Sequence, residues 1–168
     1  MDAVVGLGGN LGDVRATLAA AVRAIGRHFQ VLAVSSLYET APVGPPQPVF
    51  LNAAVRVALD APPETLLREL LSIEAEFGRV RRERYGPRTL DLDVLWIDGV
   101  TLASPGLTVP HPRLLERRFA LGPLLDVAPG ARHPATSEPL SAVLERLPPG
   151  GVHEVAGPDW AESRTTAI

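Results

Sequence analysis

The chain has 168 residues, 46% of them hydrophobic, and a formal net charge of −3 at pH 7. This composition indicates one globular domain with a full core, and the acidic balance argues against a general nucleic-acid binder. The absence of cysteine excludes disulfides, thiolate catalysis and cysteine-based zinc sites. The N-terminus lacks the basic region of a signal peptide, and no apolar stretch approaches the roughly 18 residues of a membrane span. We therefore expect a cytoplasmic protein that does not enter a membrane.

The start of the chain predicts a strand, a helix and a second strand. The first strand is expected at AVVGLG (3–8), and a helix follows the capping pair Asn10 and Asp13, with an apolar face of Val14, Leu18, Ala21, Val22 and Ile25. The stretch GLGGNLGD (6–13) lacks the lysine of a phosphate loop and the third glycine of the dinucleotide fingerprint. We interpret it as a tight turn that needs the free φ of glycine and that lines a site, if any, with its backbone. The second strand is expected at VLAVSSLY (31–38).

The middle of the chain predicts a loop, two further strands and a second helix. Four prolines make 39–49 a stiff, exposed loop. Residues 49–59 alternate: one face carries Val49, Leu51, Ala53, Val55 and Val57, and the other carries Phe50, Asn52, Ala54 and Arg56. A helix is expected at 61–78, capped by Gly78, with an apolar face of Leu66, Leu67, Leu70, Leu71 and Phe77. The fourth strand is expected at 89–97 and closes at an Asp98-Gly99 turn.

The order β-α-β-β-α-β predicts an α+β fold of the ferredoxin-like type, a βαββαβ sandwich with helices on one face of an antiparallel sheet. Beyond residue 100 we expect C-terminal additions, namely a loop, one helix near 138–147 and a polar, loosely ordered tail at 159–168. We treat 1–168 as a single domain, with its core at 1–147 and a C-terminal extension at 148–168.

Two carboxylates lie within the expected fourth strand, where an unpaired charge is costly. Asp91 and Asp93 are two residues apart, so both project to one face, about 6.6 Å apart along the strand. Oxygen ligands so placed can hold one or two Mg²⁺ ions, which commonly arrive bound to nucleotide phosphates. The alternative is a solvated edge strand, or a pair of salt bridges to neighbouring arginines.

A cluster of arginines immediately precedes these carboxylates: Arg79, Arg81, Arg82, Arg84 and Arg88. The guanidinium group donates two parallel hydrogen bonds to phosphate and stays charged. A solvated basic loop is the simpler explanation, but the cluster lies in an otherwise acidic chain. A polyphosphate with its metal ions would bridge the arginines and the aspartates.

Three further residues are candidates for a site. His111 lies between two prolines and could donate to phosphate or transfer a proton, although a lone histidine is more often structural. Phe50 and Asn52 share the second face of their strand, and an aromatic ring beside an amide suits a flat, hydrogen-bonding heterocycle. Packing of that face against the loop at 39–48 is equally compatible with the pattern.

Several stretches together resemble the 6-hydroxymethyl-7,8-dihydropterin pyrophosphokinase family of the folate pathway. They are GLGGNLGD, SSLYETAPVGPP, FLNAAV, IEAEFGRVR, RYGPRTLDLDVL and LTVPHPRLLERRFALGPL, spanning residues 6 to about 128. The resemblance implies an ATP-dependent diphosphotransferase that moves pyrophosphate from MgATP to the hydroxymethyl group of the pterin and releases AMP. ATP and the pterin would be its small-molecule partners, and we expect a monomer or a weak homodimer.

The resemblance also implies roles for individual residues. Asp91 and Asp93 match the pair that holds two Mg²⁺ ions, and Arg79 and Arg88 match the catalytic arginines that engage phosphates. The matches around ATP are Glu74 at the base end, Arg81, Arg84, Thr108, His111 and Arg117. The matches around the pterin are Thr40 and Val43 through their backbone, with Phe50, Asn52, Tyr85 and Phe119.

The sequence departs from the family pattern at three points. The arginine loop is one residue shorter than expected, Tyr85 stands where tryptophan is usual, and Pro112 follows His111 where an aromatic residue is sometimes found.

Two other functions are alternatives to this pyrophosphokinase. A non-catalytic ferredoxin-like nucleotide- or RNA-binding module would need aromatic residues on the central strands, which are absent. A metal-dependent nucleotide-sugar transferase would use the DLD stretch, but such enzymes are usually larger.

Overall fold

The described part of the first hundred residues has the element order β-α-β-β-β-α-β. A computed structural model of the protein describes residues 1–41, 46–78 and 89–162. The elements are β1 (Asp2–Gly9), α1 (Val14–Gly26), β2 (Gln30–Val34), β3 (Leu37–Thr40), β4 (Phe50–Ala58), α2 (Pro63–Glu76), β5 (Asp91–Ile97), β6 (Leu102–Ser104), β7 (Leu107–Val109), α3 (Arg118–Val127), α4 (Leu140–Arg146) and β8 (Val152–Ala156). Short 3₁₀ helices lie at Leu114–Glu116 and Pro158–Ala161.

The main sheet is antiparallel, as predicted. Its strand order among the described residues is β5-β1-β4-β3-β8, and β2 also pairs with β4. The first strand therefore lies between β4 and β5. Its register sets Gly8 between Asn52 and Asp91, and Gly6 between Ala54 and Asp93. Residues from distant parts of the chain are thus brought to the same end of the sheet.

Helices cover both faces of the sheet, which corrects the prediction of one covered face. On one face α1 and α2 pack on buried residues of β1, β4 and β5. On the other face α3 and α4 pack on Val4, Ala54, Leu95 and Trp96. The sequence pattern missed α3 because Pro123 lies inside it, and a proline in a helix interior removes a hydrogen bond. Burial of Leu121, Pro123 and Leu124 compensates for that loss.

The first helix begins as predicted at Asp13, whose Oδ1 accepts from the Ala16 N–H at 3.2 Å. Asn10 is not part of this cap. Its side chain is buried and donates to Gln47 Oε1 and to the Pro48 carbonyl, both at 2.9 Å. Asn10 therefore holds the proline-rich segment beside the end of β1.

The second predicted strand is two strands, separated at Ser35 and Ser36. The Ser35 hydroxyl accepts from the Ala54 N–H at 2.8 Å, in place of a backbone carbonyl. The next N–H, of Ser36, donates to Asp126 Oδ2 of α3 at 3.2 Å. A side-chain acceptor therefore stands at the break between β2 and β3, and the backbone of Ser36 is bonded to α3.

The second helix matches its prediction except on its apolar face. Gly78 ends it with a φ of +70°, and the Gly78 N–H donates to the Ala75 carbonyl at 3.1 Å. Leu71 is 51% exposed, so its predicted place on the apolar face is wrong. The buried stripe runs through Leu66, Leu70 and Ile73, which are separated by the spacings of one helical face.

The prediction of a loose tail is wrong for Trp160 and Ala161, which are buried. Trp160 donates from Nε1 to the Ser35 carbonyl at 2.8 Å. Just before it, β8 adds a strand beside β3. Within the parts of the chain that the structure describes, no helix is long and apolar enough to cross a membrane.

Candidate active site

A cavity of about 460 Å³ lies where β1, β4 and β5 meet the segment 111–120. It is lined by glycines of β1, by Phe50 and Asn52 of β4, and by Asp91 and Asp93 of β5. The rest of its wall consists of His111, Arg113, Glu116, Arg117 and Phe119, together with Thr40 at the end of β3 and Ala41 directly after it. The cavity therefore unites the carboxylate pair with the aromatic and amide residues that the sequence suggested for a heterocycle.

The glycines of β1 leave room for the side chains of the neighbouring strands. A Cβ added to Gly8 would lie 2.8 Å from Asn52 Oδ1, and one added to Gly6 would lie 3.0 Å from Leu95 Cδ1. Gly6 and Gly8 are strand residues, so at these two positions the reason for glycine is space. The predicted turn lies at 10–13, between β1 and α1, where Gly12 has a φ of +76°. Gly6, Leu7 and Gly8 of this stretch line the cavity.

The carboxylate pair lies on an edge strand whose outer side is held by hydrogen bonds. Asp91 and Asp93 face the cavity, while Leu92 between them is buried in the core. The Leu92 N–H donates to Glu74 Oε2 at 2.7 Å, and the Leu95 carbonyl accepts from the His111 N–H at 2.9 Å. The strand that presents the aspartates is thus fixed on the side away from β1.

His111 lies beside this pair as a neutral imidazole. Its Nδ1 accepts from the Arg113 N–H at 3.1 Å, so Nε2 carries the proton in the neutral ring. Burial lowers the pKa of His111, Asp93 opposes this shift, and Arg117 and Arg113 reinforce it. A neutral ring with its N–H at Nε2 can donate a hydrogen bond to an anionic ligand.

Arg113 and Glu116 line the cavity although the sequence did not single them out. Their side chains lie 3.5 Å apart (Nε to Oε1), with Arg113 at the N-cap and Glu116 at the end of the 3₁₀ helix Leu114–Glu116. The one feature of the sequence that could have indicated these two residues is their position in PRLLER, directly after the candidate site residue His111. Arg117 also lines the cavity, and its guanidinium carbon is 5.4 Å from the centre of the Phe119 ring, a cation–π contact.

The other end of the cavity combines aromatic rings with a fixed amide. Phe50 and Phe119 line it together with Asn52. Asn52 Nδ2 donates to Thr40 Oγ1 at 2.8 Å, and both side chains are 9% exposed. This bond fixes which way the amide points, so its oxygen lies towards Gly8.

Two expected site residues do not line the cavity. Glu74 is 5% exposed and is bonded to the backbone of β5, and Thr108 is exposed on the β6–β7 hairpin. The predictions for Val43, Arg79, Arg81, Arg84, Tyr85 and Arg88 lie outside the described residues. Among those that the structure describes, no group of three acidic or histidine side chains could hold a metal ion by itself.

Comparison with known proteins agrees with this geometry. The model of the 7,8-dihydro-6-hydroxymethylpterin-pyrophosphokinase family matches residues 4–129. A 2-amino-4-hydroxy-6-hydroxymethyldihydropteridine pyrophosphokinase of Synechocystis is 40% identical over 156 residues, covering 92% of this chain and 80% of that protein. One of Methylorubrum extorquens is 41% identical over 156 residues, covering 91% and 98%.

A solved structure of Plasmodium falciparum HPPK-DHPS matches with a TM-score of 0.67 at 14% identity and covers 86% of this chain. The chain spans 42% of that larger protein, and at this identity the likeness concerns the fold alone.

The family match and the named relatives make the chain an ATP-dependent diphosphotransferase, and the sheet with its paired carboxylates and aromatic pocket is compatible with that class. The chain belongs to the 7,8-dihydro-6-hydroxymethylpterin-pyrophosphokinase family and is a pyrophosphokinase of folate biosynthesis. The alternative of a non-catalytic nucleotide- or RNA-binding module is not favoured.

Proposed function

We propose that the chain transfers the pyrophosphoryl group of MgATP to the hydroxymethyl oxygen of 6-hydroxymethyl-7,8-dihydropterin, giving the pterin diphosphate and AMP. The observation that carries this proposal is the register of β1. Gly8 lies between Asn52 of the heterocycle pocket and Asp91 of the carboxylate pair. The two reactants would therefore bind side by side, as an in-line transfer requires.

The pterin is a flat heterocycle with donors and acceptors along its edge. Phe50 and Phe119 offer ring faces for stacking, and Asn52 offers an amide whose orientation Thr40 fixes. Because Nδ2 already donates to Thr40, the amide oxygen is the atom that would accept from the pterin ring. Val43 and Tyr85 complete this pocket in our proposal through their match to the family motifs.

The residues at the other end of the cavity fit Mg²⁺. The available ligands are the carboxylate oxygens of two side chains. Mg²⁺ is usually bound by one or two carboxylates together with substrate phosphates. Asp91 and Asp93 would hold two such ions. Bound there, the metal would neutralise phosphate charge and orient the attacking and leaving oxygens.

The nucleotide would lie along the carboxylate strand and the segment after β7. His111 would donate from Nε2 and Arg117 would offer its guanidinium group, since both line the cavity. Arg79, Arg81, Arg84 and Arg88 would engage the phosphates, and Thr108 would lie near the nucleotide. These assignments rest on the family motifs and on the suitability of arginine for phosphate.

In the reaction, the hydroxymethyl oxygen forms a bond to the β-phosphorus while the bond from that phosphorus to the oxygen of AMP breaks. The hydroxyl proton is released. The protein aligns the two substrates, and its cationic groups counter the charge on the phosphoryl oxygens. Arg79 and Arg88 are proposed to act at this step, because they match the catalytic arginines of the family motifs and stand at the two ends of the arginine-rich sequence before β5.

The fold type, the domain organisation and the cellular location that we propose fit the same function. We propose that the sheet is of the ferredoxin-like type, since β5-β1-β4 with β2 and β3 at the next position reproduces that strand order. Residues 1–168 would form a single domain, acting in the cytoplasm as a monomer or a weak homodimer.

The test is AMP release from MgATP with and without the pterin. We expect AMP only when the pterin is present, and loss of turnover in Asp91→Ala and Asp93→Ala. Asp98→Ala is the matched control, because Asp98 is an exposed aspartate at the far end of the same strand. Three results would contradict the proposal: formation of ADP, AMP release at the same rate without the pterin, or full activity in Asp93→Ala.

A further inference from the structure

The buried carboxylate of Glu74 is bonded to the strand that carries the metal-binding pair. Glu74 lies near the end of α2, and 5% of its surface is exposed. Its Oε2 accepts from the Leu92 N–H at 2.7 Å, and Leu92 is the residue between Asp91 and Asp93. Glu74 does not line the cavity.

The bond is made on the outer side of β5. On its inner side, Asp91 pairs with Gly8, Leu92 with Leu7 and Asp93 with Gly6 of β1. On the outer side Glu74 is the acceptor for the N–H between the two aspartates. The side chain of Leu92 is buried in the core, so backbone and side chain together fix this peptide. The fixed position of this peptide sets the spacing and direction of the Asp91 and Asp93 carboxylates.

We propose that Glu74 is a positioning residue: it holds the backbone between Asp91 and Asp93 so that both carboxylates face the metal and phosphates. This role differs from the contact at the base end of ATP that the family resemblance implied. It rests on the proposed function of the aspartate pair. Glutamate suits the task because its side chain reaches from α2 to the strand and its Oε2 accepts from the Leu92 N–H at 2.7 Å.

The first measurement is hydrogen exchange of the Leu92 amide by NMR in the protein without nucleotide. Removing the acceptor in Glu74→Ala should speed exchange about tenfold or more, because a buried N–H loses its partner. Glu74→Gln keeps an acceptor at the same reach and should preserve protection. Glu74→Asp keeps the charge but is one methylene shorter, so it should lose protection.

The second measurement is the Mg²⁺ concentration for half-maximal AMP release, beside the KM for the pterin. The Mg²⁺ requirement should rise about tenfold in the Ala and Asp variants and less in Gln, with the pterin KM little changed. Glu76→Ala is the matched control, since Glu76 lies on the same helix and is half exposed. It should alter neither quantity.

If Glu74 acted through its charge, the Asp variant would keep more Leu92 protection and a lower Mg²⁺ requirement than the Gln variant. That result would overturn the proposal. An unchanged Leu92 exchange rate in Glu74→Ala would also overturn it. Should the Ala variant fail to fold, the comparison of Gln with Asp decides alone. Full activity in Asp93→Ala would refute the proposed function instead, while the Leu92 exchange rates would still report whether Glu74 holds the strand.

Discussion

At the scale of single residues, the amide of Asn52 is a polar group of the cavity whose orientation is fixed. It is bonded to the Thr40 hydroxyl on one side, and its oxygen occupies the space beside Gly8 where a Cβ would lie. Rotation of the amide would break the bond to Thr40 and turn its donors towards the position of the pterin. In the proposed function, the orientation of Asn52 would therefore decide which pterin edge is accepted.

Thr40→Val removes the hydroxyl and keeps the shape of the side chain. The Asn52 amide then has a buried donor without its partner, a loss of about 1–3 kcal/mol. We expect the KM for the pterin to rise about tenfold, with the KM for ATP nearly unchanged. Thr40→Ser keeps the hydroxyl and should stay close to the wild type. Steady-state kinetics with each substrate varied would measure this, and equal changes in both KM values would contradict it.

The sequence predicted the acidic, aromatic and amide members of the cavity from their chemistry and spacing. Asp91, Asp93, Phe50 and Asn52 share strand faces, and alternation on a strand is readable without a structure. The bond from Thr40 to Asn52 was not readable, because it joins two strands whose register no local pattern sets. The space beside Gly8 depends on a second register of this kind, that of β1 with β4.

At the scale of elements, the local patterns predicted β1, α1, β4, α2 and β5 well. The three-residue strands β6 and β7 were too short for any pattern, and α3 was hidden by Pro123. The division of β2 from β3 arises from one hydroxyl, that of Ser35, which replaces a carbonyl in the ladder. Serine at such a position looks like an ordinary strand residue in the sequence.

The 3₁₀ helix at Pro158–Ala161 secures this division, because Trp160 donates to the Ser35 carbonyl and packs in the core. Trp160→Ala should cost about 3–5 kcal/mol of unfolding free energy. Val155→Ala is the control: Val155 is 49% exposed, and such changes cost about 0.5 kcal/mol or less. Urea unfolding followed by the fluorescence of buried Trp96 would measure both. Equal midpoints for the two variants would show that Trp160 does not hold the fold.

At the scale of the whole molecule, the family match ends at residue 129, but the packed structure continues beyond it. Helix α4 contributes Leu140 and Val143 to the second core, and β8 extends the sheet beside β3. The pairing of Thr40 with Val152 places the C-terminal strand next to the residue that orients Asn52. A segment beyond the family match thus supports the end of the cavity at Thr40 and Asn52, where we propose that the pterin binds.

Ending the chain after Leu147 removes β8 and Trp160 together. The tryptophan alone accounts for about 3–5 kcal/mol, and a typical domain has about 5–15 kcal/mol in total. We therefore expect a much lower thermal midpoint for this shortened chain. At temperatures where it stays folded, the pterin KM should rise more than the ATP KM, since β3 loses the neighbour of Thr40.

A chain ended after Glu162 is the matched control, because it keeps every described element. Calorimetry of both chains, with kinetics below the lower midpoint, would test the expectation. An unchanged midpoint would mean that residues 148–162 only rest on a domain that is complete without them. A lower midpoint with equal rises in both KM values would mean that the C-terminal strand stabilises the fold without acting on Thr40, because a general loosening of the cavity affects both substrates alike.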